Sequence, residues 1–150
     1  MTERTPASLL KPVEAVARAA GRKLAAGAGG LRTVNAANDH DVKLQADLES
    51  EELIRERLGN LAPFPVIGEE LGGDPELPRC NEPYWVIDPL DGTYNYLRNI
   101  PQCCVSIGLM RGEQPLLGVI YDFHLDELFA AVPETGRLTL NGGALAPSWP

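Results

Sequence analysis

Short apolar runs separated by turns fill the second half of the chain, and this succession restricts the fold more than any other feature. The runs are rich in β-branched and aromatic residues and are bounded by Gly, Pro and Asp, which predicts strands. They cover residues 66–67, 84–87, 103–110, 116–121, 127–132 and 137–140. Because short turns connect the last four runs, we expect those strands to form an antiparallel meander.

Two amphipathic helices are predicted ahead of these strands. In the first, apolar residues recur at three- and four-residue steps, at Leu9, Val13, Val16, Ala20 and Leu24. Pro12 fits its first turn, and the small-residue patch at 25–30 ends it. The second helix covers roughly residues 44–59, with an apolar arc at Leu48, Ile54, Leu58 and Leu61. Helices followed by strands predict an α+β fold, with two N-terminal helices packed on an antiparallel sheet.

Charged residues interrupt the apolar arc of the second helix. Asp47 and Glu51 lie inside the arc, and Arg55 follows Glu51 by one turn and could pair with it. Asp47 has no such local partner, and an acid on a buried helix face costs free energy unless something pairs with it. Two interpretations stay open: either the arc is slightly rotated and these charges are solvated, or Asp47 has a distant partner.

Composition excludes several classes of protein. The net charge of −8 disfavours nucleic acid as a partner, because an acidic surface repels phosphate backbones. No apolar stretch approaches the roughly 18 residues of a membrane helix, so no membrane association is expected. Three cysteines without a C-x-x-C motif favour free thiols in a reducing compartment. We therefore expect a cytoplasmic protein.

The segment from Asp88 to Thr93 is the most informative about chemistry. An apolar strand delivers Asp88 at its end, and Pro89 fixes the next backbone angle. Asp91 adds a second carboxylate beside Gly92, which permits a tight turn, and Thr93 stands where a short helix could begin. Divalent cations prefer converging carboxylate oxygens, and a helix start offers donors to a phosphate. The segment therefore suits a cation together with a phosphate.

Two alternatives compete with that interpretation. Asp-Pro and Asp-Gly are also ordinary turn dipeptides, so the segment could be a plain turn. A calcium loop fails on its register: with Gly92 as the central glycine, an early ligand position falls on Pro89 and the closing acid on Arg98.

A second short strand also ends in acids, at Glu69 and Glu70. Alone, it could be a charged strand end before a turn. Glu69, Asp88 and Asp91 nevertheless all lie where a strand meets a loop. If they converge with Asp47, their charges would repel one another unless cations neutralised them.

These motifs resemble those of the inositol monophosphatase family, which comprises magnesium-dependent and typically lithium-sensitive phosphomonoesterases. The likeness covers about residues 8–142 and rests on Gly68-Glu69-Glu70 and on Trp85-Val86-Ile87-Asp88-Pro89-Leu90-Asp91-Gly92-Thr93-Tyr94-Asn95-Tyr96. It extends upstream over residues 41–47 and downstream through 101, 105–109, 118–121 and 141–142. It implies hydrolysis of inositol monophosphate or a related sugar phosphate. It also implies the N-terminal domain of a layered α/β/α/β sugar-phosphatase fold.

The resemblance implies a set of cation ligands. Glu69 would bind a first Mg²⁺, with Mn²⁺ as a possible substitute, and Asp88 would bridge the first and second cations. The Leu90 carbonyl would complete the first site, and Asp91 would bind the second cation. Glu70 would support these ligands without binding a cation itself.

The resemblance also implies catalytic and phosphate-binding residues. Asp47 and Thr93 would form the pair that orients and deprotonates the attacking water. Asp91 and the backbone amides of Gly92 and Thr93 would hold the phosphate. Ala46 departs from the family pattern, because Thr is frequent at that position, so one supporting hydrogen bond is in question.

Family members are nearly twice as long as this chain, and their second half carries a Trp-Asp motif that completes the second cation site. This chain has no Trp-Asp. We therefore expect residues 1–150 to form a single domain that resembles the family's metal-binding N-terminal domain, with the C-terminal domain absent. The expected partners are a small phosphorylated polyol or sugar and either a second copy of the chain or a separately encoded C-terminal half. The alternative function is an inactive remnant that keeps a weak cation site or an interaction surface.

Overall fold

The computed structural model describes residues 4–27, 34–37 and 42–146. Its helices are α1 (Pro6–Ala26), α2 (Gln45–Leu61) and α3 (Thr93–Leu97). Its strands are β1 (Val34–Ala37), β2 (Val42–Leu44), β3 (Val66–Gly68), β4 (Pro83–Asp91), β5 (Cys104–Arg111), β6 (Gln114–Asp122), β7 (Glu127–Val132), β8 (Arg137–Leu140) and β9 (Gly143–Ala144). The α+β class is therefore confirmed, and each of the six predicted strands exists.

The main sheet has seven strands in the order β3-β4-β5-β6-β7-β8-β9. From β4 onward every neighbouring pair is antiparallel, so the predicted meander is confirmed. The pair β3–β4 is parallel, which makes the sheet mixed where a purely antiparallel sheet was expected. The long connection through residues 69–82 explains this difference, because parallel neighbours need a crossover rather than a tight hairpin.

Helices α1 and α2 pack on one face of this sheet and enclose the core. Trp85 in β4 is completely buried there, and its indole nitrogen donates to the Ala62 carbonyl at 3.2 Å. The fully buried aliphatic side chains of the core include Leu10, Leu24, Ile54, Leu58, Ile107 and Leu117. No helix within the described ranges has the length and apolarity required to cross a bilayer.

The start of α1 differs from the expectation in one respect. Thr5 caps the helix by accepting the Ser8 N–H, and Pro6 occupies the first helical position. Pro12 lies inside the helix, so its predicted place in the first turn is wrong. The helix continues through Pro12 although proline has no backbone N–H to donate, because burial of the apolar stripe around Val13 stabilises it. The helix ends at Gly27, as the small-residue patch predicts; residues 28–30 of that patch lie outside the described part of the chain.

A short antiparallel hairpin, β1–β2, precedes α2 and was not predicted. Its sequence carries no strong period-two pattern, so its pairing is not visible from local features. The hairpin leads directly into α2, which begins at Gln45, close to its predicted start. Asp41, where the upstream family match begins, lies outside the described residues.

Two helical glycines provide a test of this packing. A Cβ at Gly21 would lie 2.5 Å from Tyr121 Cε1 and 2.9 Å from Phe123 Cβ, whereas a Cβ at Gly59 would meet nothing within 4 Å. We expect Gly21→Ala to lower the free energy of unfolding by about 1–3 kcal/mol, since overpacking forces the helix away from the sheet. Gly59→Ala should raise it by about 0.5–1 kcal/mol through helix propensity. Urea denaturation measures both, and a stabilising Gly21→Ala would contradict the packing of α1 on β6.

Candidate active site

A bulge at the end of β4 places two carboxylates on the same side of the sheet. Asp88 pairs with Ser106 and Asp91 pairs with Cys104, so three steps along β4 match two steps along β5. Residues two apart on a strand point to the same face, and the extra residue therefore brings Asp88 and Asp91 to a common face. Leu90 is fully buried between them.

Asp47 and Thr93 meet across the interface between α2 and α3. The Thr93 hydroxyl lies 3.1 Å from Asp47 Oδ1 and 3.2 Å from the Leu90 carbonyl oxygen, and it can donate to either. The second oxygen of Asp47 accepts the N–H of Leu44 at 3.1 Å, which caps the start of α2. Asp47 is completely buried, so its place in the apolar arc of α2 reflects a distant partner and not a rotated, solvated helix.

The electrostatics show that the predicted acids converge. The pKa of Asp47 is raised to about 7, mainly by burial and also by the charges of Glu70 and Glu69, while the hydrogen bonds from Leu44 and Thr93 act in the opposite direction. Burial also raises the pKa of Asp88, and the charges of Asp91 and Asp47 act in the same direction. Five acidic residues on three separate segments thus influence one another.

The donor chemistry of this cluster fits a hard divalent cation. Glu69 and Asp88 hydrogen-bond through their carboxyl groups, which requires a proton between two acids that a cation could replace. Within the described ranges, no three His, Cys, Asp or Glu side chains stand ready to hold a metal ion as they are arranged. Glu69 and Asp88 are thus paired, and in the described part of the chain no third side chain of this kind completes a set of ligands around them.

Gly92 forms the turn between β4 and α3, and its lack of a side chain is required there. Its φ is +94°, and a Cβ would lie 2.6 Å from the Gln102 carbonyl oxygen. Helix α3 begins directly afterwards at Thr93, as the sequence predicts. The amides at such a helix start have no partner within the helix, which is the property that suits them to an anion.

Two neighbours of the site were not predicted from the sequence, and a third was predicted only in part. Ser50 on α2 is completely buried and donates its hydroxyl to the Pro89 carbonyl at 3.0 Å, and no local signal announces this contact. The Cys104 thiol lies 3.8 Å from Asp91 Oδ2. Burial, together with the charges of Asp91 and Asp88, raises the pKa of that thiol to about 12. Glu51, the third neighbour, lay in the apolar arc and is fully buried, with Arg55 as its predicted partner at 2.8 Å.

A cavity of about 360 Å³ opens beside the bulge. Asp91, Gly92, Asn95, Cys104 and Asp122 contribute to its lining. It is the described cavity that adjoins the Asp91–Thr93 turn, and its walls combine acidic and amide side chains with the apolar Ile120 and Phe129. The lining thus offers both hydrogen-bonding groups and apolar surface.

Comparison with known proteins agrees with this geometry. The family model described as "Inositol monophosphatase family" matches residues 6–147. Inositol monophosphatase 1 of Solanum lycopersicum is 42% identical over 106 residues, which are 68% of this chain and 38% of that protein. The fructose-1,6-bisphosphatase/inositol-1-monophosphatase of Aquifex aeolicus is 39% identical over 92 residues, covering 61% of this chain and 34% of that protein.

A solved structure extends the comparison to the fold. The inositol monophosphatase from Anabaena superposes with a TM-score of 0.77 at 34% identity, covering 94% of this chain and 50% of that chain. The chain thus belongs to the inositol monophosphatase family. It spans about two fifths of the tomato relative and half of the Anabaena structure.

The raised pKa of Asp47 predicts a pH-dependent effect of removing its charge. Between the ordinary value of 3.8 and about 7, the unfolded chain loses this proton while the folded chain keeps it, so rising pH costs stability. In Asp47→Asn the amide oxygen accepts from Leu44 and the amide nitrogen donates to Thr93, so the local hydrogen bonds survive. Without divalent cations, we expect the variant's advantage over wild type to grow from about pH 4 to about pH 8, reaching about 1–3 kcal/mol.

Urea denaturation at several pH values with a chelator present measures this difference. Glu52→Gln, at an exposed carboxylate on the same helix, is the matched control and should leave the pH dependence of stability as in wild type. An advantage of Asp47→Asn that does not change with pH would contradict the assignment of the raised pKa to Asp47.

Proposed function

We propose that this chain forms the cation- and phosphate-binding part of a phosphomonoesterase that hydrolyses inositol monophosphate or a related sugar phosphate. One observation carries the proposal. The buried Asp47 accepts a hydrogen bond from Thr93 at the start of α3, directly beside the converging acids Glu69, Asp88 and Asp91. A buried base, a hydroxyl and a cluster of acids are the parts that water attack on a phosphate ester requires.

The same cluster would hold Mg²⁺ or Mn²⁺. Glu69, Asp88 and the Leu90 carbonyl would bind a first cation, and Asp88 and Asp91 a second, with Glu70 standing behind them. When bound, such cations lower the pKa of a water and stabilise charge on the phosphoryl and leaving oxygens. Support comes from the oxygen-rich donor set and from the raised pKa of Asp88, which burial causes first and the charges of Asp91 and Asp47 increase.

Asp47 and Thr93 would orient the attacking water and accept its proton. A carboxylate pKa near 7 is suited to this task, because a base works best when its pKa lies near the working pH. The Thr93 hydroxyl would relay the proton, since it lies within hydrogen-bond reach of Asp47. The amides of Gly92 and Thr93, together with Asp91, would position the phosphate.

The organic part of the substrate would occupy the cavity of about 360 Å³ that adjoins Asp91 and Gly92. Its acidic and amide walls suit the hydroxyls of a polyol or sugar. The names of the tomato and Aquifex relatives include inositol monophosphatase and fructose-1,6-bisphosphatase, which are activities on compounds of this class.

We further propose that residues 1–150 act as a single domain that needs a second polypeptide surface, supplied by a C-terminal half or by another copy of the chain. Support comes from the face of the sheet that the helices do not cover. Ile120 and Val86 are 48% and 40% exposed there, beside an apolar groove of about 310 Å³. Exposed apolar sheet surface favours association. Light scattering distinguishes self-association of the chain from a monomer that requires a separate C-terminal half.

The free thiols of the cysteines are compatible with a cytoplasmic location.

Cation binding should follow directly from this arrangement. We expect Mg²⁺ and Mn²⁺ to bind weakly, at about millimolar concentration, since Mg²⁺ gives up its waters reluctantly and few protein ligands are available. Asp88→Asn should weaken binding more than Asp91→Asn, because Asp88 serves both cations. Isothermal titration calorimetry on the folded chain measures this, with Asp74→Asn as a control on the exposed 69–82 connection. The absence of any heat for either cation would contradict the proposed site.

Catalysis by the isolated chain should be close to background. The family's second half would supply a further carboxylate for the second cation, and its loss should reduce the rate on the order of 10²–10³-fold. Adding the C-terminal half of a relative should restore hydrolysis of inositol monophosphate, and Thr93→Ala or Asp47→Asn should abolish the restored activity. Phosphate release is the measurement.

Two outcomes would contradict this prediction in different ways. Strong, lithium-inhibited turnover by the chain alone would show that no second half is required. Complementation that succeeds equally well with Asp88→Ala would refute the site. If complementation fails while the cation still binds, the chain is the inactive remnant that keeps a weak cation site.

A further inference from the structure

Glu51 on α2 reaches out of the helix and binds the turn that carries Glu69. Its side chain is completely buried. Oε2 accepts the backbone N–H of Glu70 at 2.7 Å, and Oε1 accepts the backbone N–H of Leu71 at 3.1 Å. Both amides directly follow Glu69, so the carboxylate of Glu51 determines how the backbone leaves β3 at the proposed cation ligand.

Arg55 connects the same carboxylate to the two ends of this turn. Its Nε donates to Glu51 Oε1 at 2.8 Å. The other guanidinium nitrogens donate to the Val66 carbonyl at 3.5 Å and to the Gly72 carbonyl. The ion pair therefore holds the segment before Glu69 and the segment after it at once.

The absence of a side chain at position 68 makes this contact possible. A Cβ at Gly68 would lie 2.0 Å from Glu51 Oε1 and 2.5 Å from Glu51 Cδ. No small adjustment removes an overlap of this size with a fully buried carboxylate. The sequence Gly-Glu-Glu at 68–70 thus has a physical reason. Gly68 leaves space for the Glu51 carboxylate, Glu69 supplies the proposed cation ligand, and Glu70 supplies a backbone N–H that donates to Glu51.

We propose that Glu51 is a positioning residue, which fixes the backbone around Glu69 so that the Glu69 carboxylate meets Asp88 where a divalent cation binds. This inference rests on the proposed function and deepens it. Asp47 and Glu51 lie one helical turn apart and share one face of α2, so the same helix face that presents the proposed base also aligns a proposed cation ligand.

A purely stabilising role would leave a different signature. A buried ion pair can often be replaced by apolar residues without loss of stability, so stability alone does not require a carboxylate here. The two backbone N–H groups, in contrast, each use a separate oxygen of this one carboxylate, which an apolar residue cannot offer. Loss of those acceptors should therefore affect cation affinity and the local order of the turn more than destabilisation elsewhere would.

Glu51→Gln tests this directly, because the amide can accept from only one of the two N–H groups. We expect the Mg²⁺ affinity of the folded variant to fall about 10–100-fold, the range observed when groups that orient metal ligands are removed. Hydrogen exchange at the amides of Glu70 and Leu71 should become faster than in wild type, with Mg²⁺ absent. Calorimetry and NMR supply the two readouts, and neither depends on turnover.

Gly21→Ala is the matched control, since it destabilises the chain from the far side of α1 without contacting the turn. It should leave Mg²⁺ affinity and the exchange of those two amides unchanged once the chain is folded. Gly68→Ala is the second variant: it keeps both charges but displaces Glu51, and it should reproduce the loss of affinity. If Glu51→Gln does not fold, the comparison of Gly68→Ala with Gly21→Ala decides the question.

Wild-type affinity in folded Glu51→Gln, or in Gly68→Ala, would overturn the inference while leaving the proposed function intact. An equal loss of affinity in Gly21→Ala would overturn it too, because the effect would then follow stability alone. A wild-type chain that takes up no Mg²⁺ would instead overturn the proposed function, and this inference with it.

Discussion

Three buried polar side chains on one face of α2 hold the segments of the candidate site in place. Asp47 binds Thr93 at the start of α3, Ser50 binds the Pro89 carbonyl in the β4 bulge, and Glu51 binds the turn after β3. All three are completely buried. Breaking any of these contacts would leave a buried polar group without a partner, which costs far more than an exposed hydrogen bond. The helix therefore acts as a rigid frame for two segments that are separated in the chain, the turn after β3 and residues 89–93.

This arrangement concentrates negative charge where it is least favourable. Burial and neighbouring carboxylates raise the pKa values of Asp47 and Asp88, so the folded chain holds these groups at a cost in stability. Groups whose main role was stability would not be placed in this way. A divalent cation at the cluster would relieve the same repulsion.

The sheet contributes the second constraint. The bulge between Asp88 and Asp91 contains Pro89, which cannot donate to a neighbouring strand and is therefore tolerated at such an irregularity. The meander from β5 to β8 supports β4 on one side, while its uncovered face exposes Ile120 beside an apolar groove. Relatives are about twice as long, and so contain further chain that can interact with such a surface.

Local features of the sequence determined the elements and the residue types at their ends. Alternation and turn residues predicted each main strand. Helical periodicity predicted α1 and α2 and placed Arg55 where it could pair with Glu51, but it left open whether these charged residues are buried or solvated. These properties depend on neighbours within a few residues, so they are visible without a structure. The tertiary structure decided which polar groups of distant segments contact one another. Asp47 and Thr93 are 46 residues apart, Ser50 and Pro89 are 39 apart, and Glu51 and Glu70 are 19 apart. The parallel pairing of β3 with β4 and the contact of Glu51 with the turn after β3 likewise depend on the path of the long connection between the two strands. No local sequence pattern predicts that path, because the packing of the whole core determines it.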